Sequence, residues 1–322
     1  KMKIYLLISL FSFIISQNSY INYDYYAYLK RTASFNVASL EKNKFFHYTD
    51  EQIRSLFTLD LKNSDYLTNP NKYKDLKYKP TPGNALLEFD SRTNPDWVDY
   101  NCVPEIRDQG DCGSCWALSG ATALGWRFCI ASEGKINKVL SPQYSVSCDT
   151  GNYGCNGGYL DLQWEFLESN GLPTEQCYPY VSCNGTTTKC VEDYCEDGSE
   201  WKTYKSLKAR NYIGDLTIRD AIEANGPIQA GMYVYSDFMY YESGIYTHES
   251  GDLLGGHAVV LLGWGYDEAS LMHYWIAQNS WGTEWGENGY FRIAFGECGI
   301  QDEGIAGLPN LDELKKKKKS FE

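Results

Sequence analysis

Residues 107–117 read RDQGDCGSCWA, with a Gly-Ser pair between Cys112 and Cys115. Cys115 stands at the start of a predicted helix, because small and apolar residues follow it at helical spacing: Ala117, Ala121, Leu124 and Phe128. A cysteine at a helix N-terminus meets the positive end of the helix dipole, which favours thiolate over thiol. The stretch therefore predicts a cysteine nucleophile, or alternatively a disulfide or a thioredoxin-like redox pair.

Two stretches in the second half of the chain supply partners for a thiolate. Residues 255–259 read GGHAV, in which His257 opens an apolar strand and would act as acid and base beside a thiolate. Residues 278–282 read QNSWG, in which Asn279 would hold one tautomer of the imidazole and Trp281 would exclude water from that bond. Taken alone, each piece is also explained by a turn or a core position.

The composition describes a folded, acidic chain. Of 322 residues, 43% are hydrophobic and 15% aromatic, which excludes a disordered or collagen-like chain and allows a sizeable core. The formal net charge of -13 repels phosphate backbones, so we expect no nucleic-acid partner. Eleven cysteines indicate an oxidising compartment, and their odd number requires a free thiol or an intermolecular bridge.

Four segments follow one another along the chain. Residues 1–16 join a basic start to a short apolar run, which predicts a secretory signal peptide; a membrane anchor, the alternative, needs ~20 apolar residues, so we expect no stable membrane insertion. Residues 17–86 lack cysteine and end in a Pro-Gly cluster, which predicts a leader and linker, or alternatively a small domain. Residues 87–310 hold every cysteine. The lysine run in residues 311–322 predicts a disordered tail, or alternatively a tether to an acidic partner or membrane.

The pattern of the body changes from helical to β. We predict helices after Ser141-Pro142, over residues 160–167 and over residues 217–224, the last capped by Thr217. Strands are predicted over residues 257–262, 274–277 and 290–293. In the leader, residues 48–57 favour one short helix, capped by Thr49 with Gln52 completing a capping box. This order predicts an α+β fold of two lobes with a cleft between them.

The chain resembles the papain-like cysteine proteases over about residues 87–310. Four features carry the resemblance: Gln109, the CGSCW core, residues 256–258 and residues 279–282. The patterns at residues 235–238, 243–246, 298–300 and 306–309 are most similar to the cathepsin B subfamily. The resemblance implies a helical left lobe, a β-barrel-like right lobe and an active-site cleft between them.

The resemblance also implies roles for single residues. Cys115 attacks the peptide carbonyl, His257 moves the proton, Asn279 orients His257, and the Gln109 amide forms an oxyanion hole with the Cys115 backbone N–H. No metal and no cofactor is called for. The substrate-binding residues it implies are Gly157, Gly158, Leu160, Gly231, Gly256, Ala258, Trp281 and Glu303. Among these, Glu303 at the floor of the second substrate pocket would admit arginine beside apolar side chains.

The same resemblance assigns the cysteines. It pairs Cys102 with Cys129, Cys112 with Cys155, Cys148 with Cys190 and Cys177 with Cys195. Cys298 is free and Cys183 has no family partner; a zinc site among residues 177–195 is the alternative. Asn184 begins a glycosylation sequon in that loop.

The implied function is that of a cysteine endopeptidase made as a secreted zymogen. Its partners would be peptide and protein substrates and its own propeptide, and the enzyme would be a monomer in a lysosome-like vacuole or outside the cell. Because residues 177–195 contain no histidine, we expect the cleft to be open on the primed side. The competing hypotheses are a catalytically inactive cathepsin B-like binding protein and a redox protein.

Overall fold

The computed structural model describes residues 20–61 and 88–312. The predicted signal peptide, the Pro-Gly linker and the lysine run lie outside these residues. In the described part of the chain, no helix is both long and apolar enough to cross a bilayer.

Six α-helices are described, two of them in the leader. They are α1 (Tyr23–Thr32), α2 (Asp50–Ser55), α3 (Cys115–Ala131), α4 (Pro142–Cys148), α5 (Leu160–Ser169) and α6 (Asp215–Asn225). Helix α3 is buried over most of its length and packs against α4, α5 and the strands of the second lobe. It therefore connects the helical lobe to the β lobe.

Ten strands are described. They are β1 (Asn36–Val37), β2 (Phe89–Asp90), β3 (Arg210–Tyr212), β4 (Ile228–Tyr235), β5 (Tyr241–Ser243), β6 (Ile245–Tyr246), β7 (Leu253–Asp267), β8 (Met272–Gln278), β9 (Tyr290–Ala294) and β10 (Gly304–Ala306). Eight of them form one sheet in the order β3-β10-β4-β7-β8-β9-β6, with β2 on β7. This sheet is the right lobe, and its strand order is open, so the expected barrel-like lobe is a curved sheet whose path does not close.

The predicted helices and strands are present with somewhat different bounds, and two of the three predicted helix caps are confirmed. Ser141 caps α4 by accepting from the Tyr144 N–H, and Pro142 is its first residue. Thr49 and Gln52 form the predicted capping box of α2. The predicted Thr217 cap is wrong, because α6 starts at Asp215 after Gly214, and the Thr217 hydroxyl donates to the Ile213 carbonyl instead. Helix α1 and strand β4 were not predicted.

Arg127 on α3 fixes the second lobe to the first. Its side chain is fully buried, and its guanidinium donates to the carbonyls of Pro227 (2.7 Å), Gly226 (3.0 Å), Gly307 (3.3 Å) and Ala221 (3.4 Å). Burial lowers its pKa to about 10, so it remains charged at neutral pH. These bonds satisfy the end of α6 and the turn that leads into β4.

We predict that Arg127→Met destabilises the body by ~3 kcal/mol or more, because several buried carbonyls lose their donor. Urea unfolding followed by tryptophan fluorescence measures the change. Arg210→Met, at an exposed position of β3, is the matched control and should change the unfolding midpoint little. Equal unfolding midpoints for the two variants would contradict the role given to Arg127.

Candidate active site

The nucleophile candidate is the first residue of α3. Cys115 is a free, fully buried thiol, because Cys112 is bonded to Cys155 with a Cα–Cα distance of 4.6 Å. The two cysteines of the CGSC motif therefore form no redox pair with each other. Backbone hydrogen bonds from Trp116 and Ala258 reach Cys115. The hydrogen bond from Ala258 holds the start of α3 close to β7, at the position next to His257.

His257 and Asn279 come together because β7 and β8 are antiparallel neighbours. The His257 Nε2 lies 2.8 Å from the Asn279 Oδ1, which also accepts from the Ser280 N–H at 2.8 Å. The His257 Nδ1 is buried without a hydrogen-bond partner among the described residues. This nitrogen is therefore available for proton exchange with a thiol.

Trp281 shields the bond between His257 and Asn279. Its ring lies 4.9 Å from the imidazole, centroid to centroid, and the residue is 1% exposed. Shielding of this kind excludes water, which strengthens the hydrogen bond it covers.

Gln109 is buried beside the start of α3. Its Nε2 donates to the Cys112 carbonyl at 2.9 Å, and its Oε1 accepts from the Ser280 hydroxyl at 2.8 Å. The backbone N–H of Gln109 donates to the Ser280 carbonyl at 2.9 Å. These bonds hold the Gln109 amide between the two stretches that carry Cys115 and Asn279.

The leader passes through the cleft. The Leu59 N–H donates to the Gly256 carbonyl and the Asp60 N–H donates to the Gly158 carbonyl, both at 3.2 Å. The Phe57 ring lies 5.7 Å from the imidazole of His257. The leader backbone thus contacts glycines on both walls and covers the histidine.

The predicted substrate pocket lies under the leader. In the β4–β7 register Gly231 is opposite Ala258, and the Gly231 N–H donates to the Glu303 carbonyl at 2.8 Å. A Cβ on Gly231 would overlap the Leu61 side chain, so the leader's own leucine fills this space. Glu303 is 4% exposed, which is not the geometry of a surface turn.

Two further predicted substrate-binding residues, Gly157 and Leu160, flank Gly158. A Cβ on Gly157 would overlap the Thr58 carbonyl, so only glycine allows the leader this close. Leu160, the first residue of α5, is fully buried two residues after Gly158.

Burial sets the charge state of the site. It raises the pKa of Cys115 to about 12 and lowers the pKa of His257 to about 4, the bond to Asn279 opposing the second shift. Loss of hydration penalises both charged forms and here outweighs the favourable helix end. Buried in this way, the pair is a neutral thiol and a neutral imidazole at neutral pH.

Three further contacts fasten the leader outside the cleft. The Lys44 Nζ lies 2.6 Å from the Asp108 carboxylate and donates to the Trp281 carbonyl at 2.8 Å. Strand β1 pairs with β5, and the Tyr25 hydroxyl donates to the Ser250 carbonyl at 2.8 Å. Lys44 was missed in the sequence, because nothing separates it from the other lysines of the leader.

The disulfides fasten the loops of the left lobe. The structure contains Cys102–Cys129, Cys112–Cys155, Cys148–Cys190 and Cys177–Cys195. Cys183 is free and exposed, and Cys298 is free and buried. Because Cys177 is bonded to Cys195, these two cysteines are not available as ligands for the alternative, a zinc site in this loop. Asn184 is exposed.

A two-lobe fold with a free cysteine at a buried helix start and a shielded histidine across the cleft defines a cysteine peptidase. The chain belongs to the papain family of cysteine proteases, whose family model matches residues 91–308.

Its relatives are cathepsin B-like. It is 46% identical to Cathepsin B-like CP3 of Giardia intestinalis over 223 residues, which is 66% of this chain and 74% of that protein. It is 39% identical to Cathepsin B-like cysteine proteinase 4 of Caenorhabditis elegans over 69% of this chain and 75% of that one. A solved structure of proCathepsin B S9 from Trypanosoma congolense matches with a TM-score of 0.77 and 26% identity, covering 90% of this chain and 98% of that one.

We predict that an alkylating reagent labels Cys115 slowly in the leader-containing protein and rapidly after the leader is removed. The buried thiol is protonated and inaccessible, whereas water in an open cleft restores the thiolate. Mass spectrometry of the labelled peptide measures the rate at pH 6. Equal rates in the two forms would contradict leader burial as the cause.

Lys44→Met should increase the labelling rate of the leader-containing protein, because the half-buried pair with Asp108 is lost. Lys42→Met is the matched control, since Lys42 lies two residues away and is exposed. An effect of the same size from both variants would show that the leader responds to charge alone.

Proposed function

We propose that the protein is a cysteine endopeptidase made as a zymogen, in which Cys115 and His257 form a thiolate–imidazolium pair once the leader leaves. The observation that carries this proposal is the free Cys115 at the start of α3, next to a histidine fixed by Asn279 and covered by the leader.

The chemistry is acyl transfer in two steps. The Cys115 thiolate attacks the peptide carbonyl, and His257 donates its proton to the leaving amine, which gives an acyl-enzyme. Water then attacks the thioester while His257 accepts its proton, and release of the carboxylic acid product restores the Cys115 thiolate beside the His257 imidazolium. Asn279 stabilises the imidazolium by accepting from Nε2, and Trp281 protects this bond from water.

The oxyanion of each tetrahedral intermediate needs donors that are in place beforehand. We assign this role to the Gln109 amide and the backbone N–H of Cys115. The bonds of Gln109 to Cys112 and Ser280 restrict its side chain in advance, which is the condition for such stabilisation.

The leader acts as the inhibitor. It covers His257 with Phe57, pairs with both glycine walls and is held by Lys44. Acidification would weaken the contacts of the leader, and cleavage would follow near residues 80–90, most of which lie outside the described residues. The four disulfides support a route through the secretory pathway to a lysosome-like vacuole or the cell exterior.

The loop from Cys177 to Cys195 supports endopeptidase activity. The loop contains no histidine, and Tyr180 ties it to the left lobe through its hydroxyl, 2.7 Å from the Ser114 hydroxyl and 2.8 Å from the Gln109 carbonyl. A loop held this way offers no imidazole to bind the terminal carboxylate of a substrate.

We therefore expect the activated enzyme to cleave peptides with blocked C-termini, with no preference for release of a dipeptide from a free C-terminus. Product masses from paired peptides with amide and free-acid ends measure this. Cys115→Ala is the control and should abolish cleavage of both. Release of dipeptides only would overturn the endopeptidase assignment, and no cleavage by a processed protein would favour the inactive binding protein.

Specificity should depend on Glu303. The carboxyl-bearing side chain is buried beside Gly231 and Leu61, where the floor of the second substrate pocket is expected. A carboxylate there can pair with a guanidinium, while Ala258 and Leu160 supply apolar walls. We propose that the pocket accepts arginine as well as phenylalanine or leucine.

Glu303→Ala should lower kcat/KM for a substrate with arginine two residues before the cut by ~10-fold or more, and leave the phenylalanine substrate nearly unchanged. Glu303→Gln keeps the shape of the side chain and should lose the arginine preference as well. Equal losses on both substrates would show that Glu303 supports the fold and does not select the substrate.

A further inference from the structure

A small cavity lies beside Asn279, between helix α3 and the strands that carry His257 and Asn279. Its volume is about 10 Å³, which is enough for one water molecule. Helix α3 lines it on one side and the β7 and β8 segments on the other. The lining includes Arg107, Thr122, Val260, Gln278 and Asn279.

Two buried polar atoms belong to the residues around this cavity. The Gln278 Oε1 is an acceptor and the Asn279 Nδ2 is a donor, and neither has a hydrogen-bond partner among the described residues. Both residues are 3% exposed, so bulk water does not satisfy them. Buried amide groups in folded proteins are almost always hydrogen-bonded, either to protein or to an ordered water.

We propose that one water molecule in this cavity accepts from the Asn279 Nδ2 and donates to the Gln278 Oε1, which makes Gln278 a positioning residue for the Asn279–His257 bond. The proposal rests on the proposed roles of His257 and Asn279. Thr122 and Arg107 also line the cavity and offer the water further polar neighbours; the Arg107 guanidinium is paired with Glu175 at 2.7 Å.

The bridge matters because the Asn279 amide has to keep one orientation. Its Oδ1 faces two donors, the His257 Nε2 and the Ser280 N–H. In the flipped orientation the NH₂ group would face both of these donors. The correct orientation points Nδ2 into a buried space, where it is stable only with an acceptor. A water held by Gln278 supplies that acceptor.

The titration of His257 depends on the groups that surround its imidazole. Cys115 approaches from α3, Asn279 and Trp281 from the segment after β8, and Phe57 from the leader. The bond to Asn279 raises the pKa of His257 against the lowering effect of burial. A weaker Asn279 bond should therefore make the imidazolium lose its proton at lower pH.

The test compares Gln278→Leu with Gln278→Glu in the activated enzyme. Gln278→Leu removes the acceptor, and we expect kcat to fall about 10-fold with KM little changed, and the alkaline limb of kcat to move to lower pH. Gln278→Glu retains an acceptor and should therefore lose less of kcat than Gln278→Leu does. Gln301→Leu is the matched control, because Gln301 is 1% exposed but bonds to Trp275.

Two readouts do not require activity. A high-resolution crystal structure should show a water within hydrogen-bond distance of both side-chain atoms. In a Cys115→Ala background, NMR titration of His257 should shift to lower pH with Gln278→Leu and not with Gln301→Leu. An empty cavity, an unshifted titration or the same shift from the control would overturn the proposal. If the bridging water and the shift of the His257 titration are both observed but the protein has no peptidase activity, only the proposed function is contradicted.

Discussion

The geometry of the site depends on one buried polar junction between the lobes. Gln229 on β4 donates to the Trp116 carbonyl at 2.7 Å and lies 2.8 Å from the Ser119 hydroxyl, which in turn donates to the Cys115 carbonyl at 2.6 Å. Trp164 on α5 donates to the Gln229 Oε1 at 2.7 Å. The first turn of α3, which carries the thiol, is therefore fixed from both lobes by bonds that are strong because water is excluded.

Burial has opposite consequences at different points of this molecule. Around Gln229 every buried polar group meets a partner, so burial stabilises the fold. At Cys115 and His257 burial removes water and no charged partner replaces it, which disfavours the ion pair.

The sequence predicted what local patterns encode, and missed what depends on contacts across the chain. The start of α3 at Cys115, the cap at Ser141 and the β8–Asn279 junction each follow from a few adjacent residues. Helix α1 and the Lys44 anchor depend on contacts with the body of the protein, which involve Tyr25, β5 and Asp108. The Thr217 cap was wrong because Gly214 ends the preceding loop earlier, which allows α6 to begin at Asp215.

The glycines that contact the leader offer backbone groups to any peptide. Gly158 and Gly256 bond the leader through backbone atoms, which every peptide has, so a substrate in the proposed cleft would make the same bonds. Side chains then decide which peptide fits. Leu61 lies against Gly231, next to the buried Glu303, so apolar contact is sufficient to fill this pocket. In the proposed pocket the carboxylate of Glu303 would add affinity for a cation without excluding an aliphatic side chain, because the proposed walls, Ala258 and Leu160, are apolar.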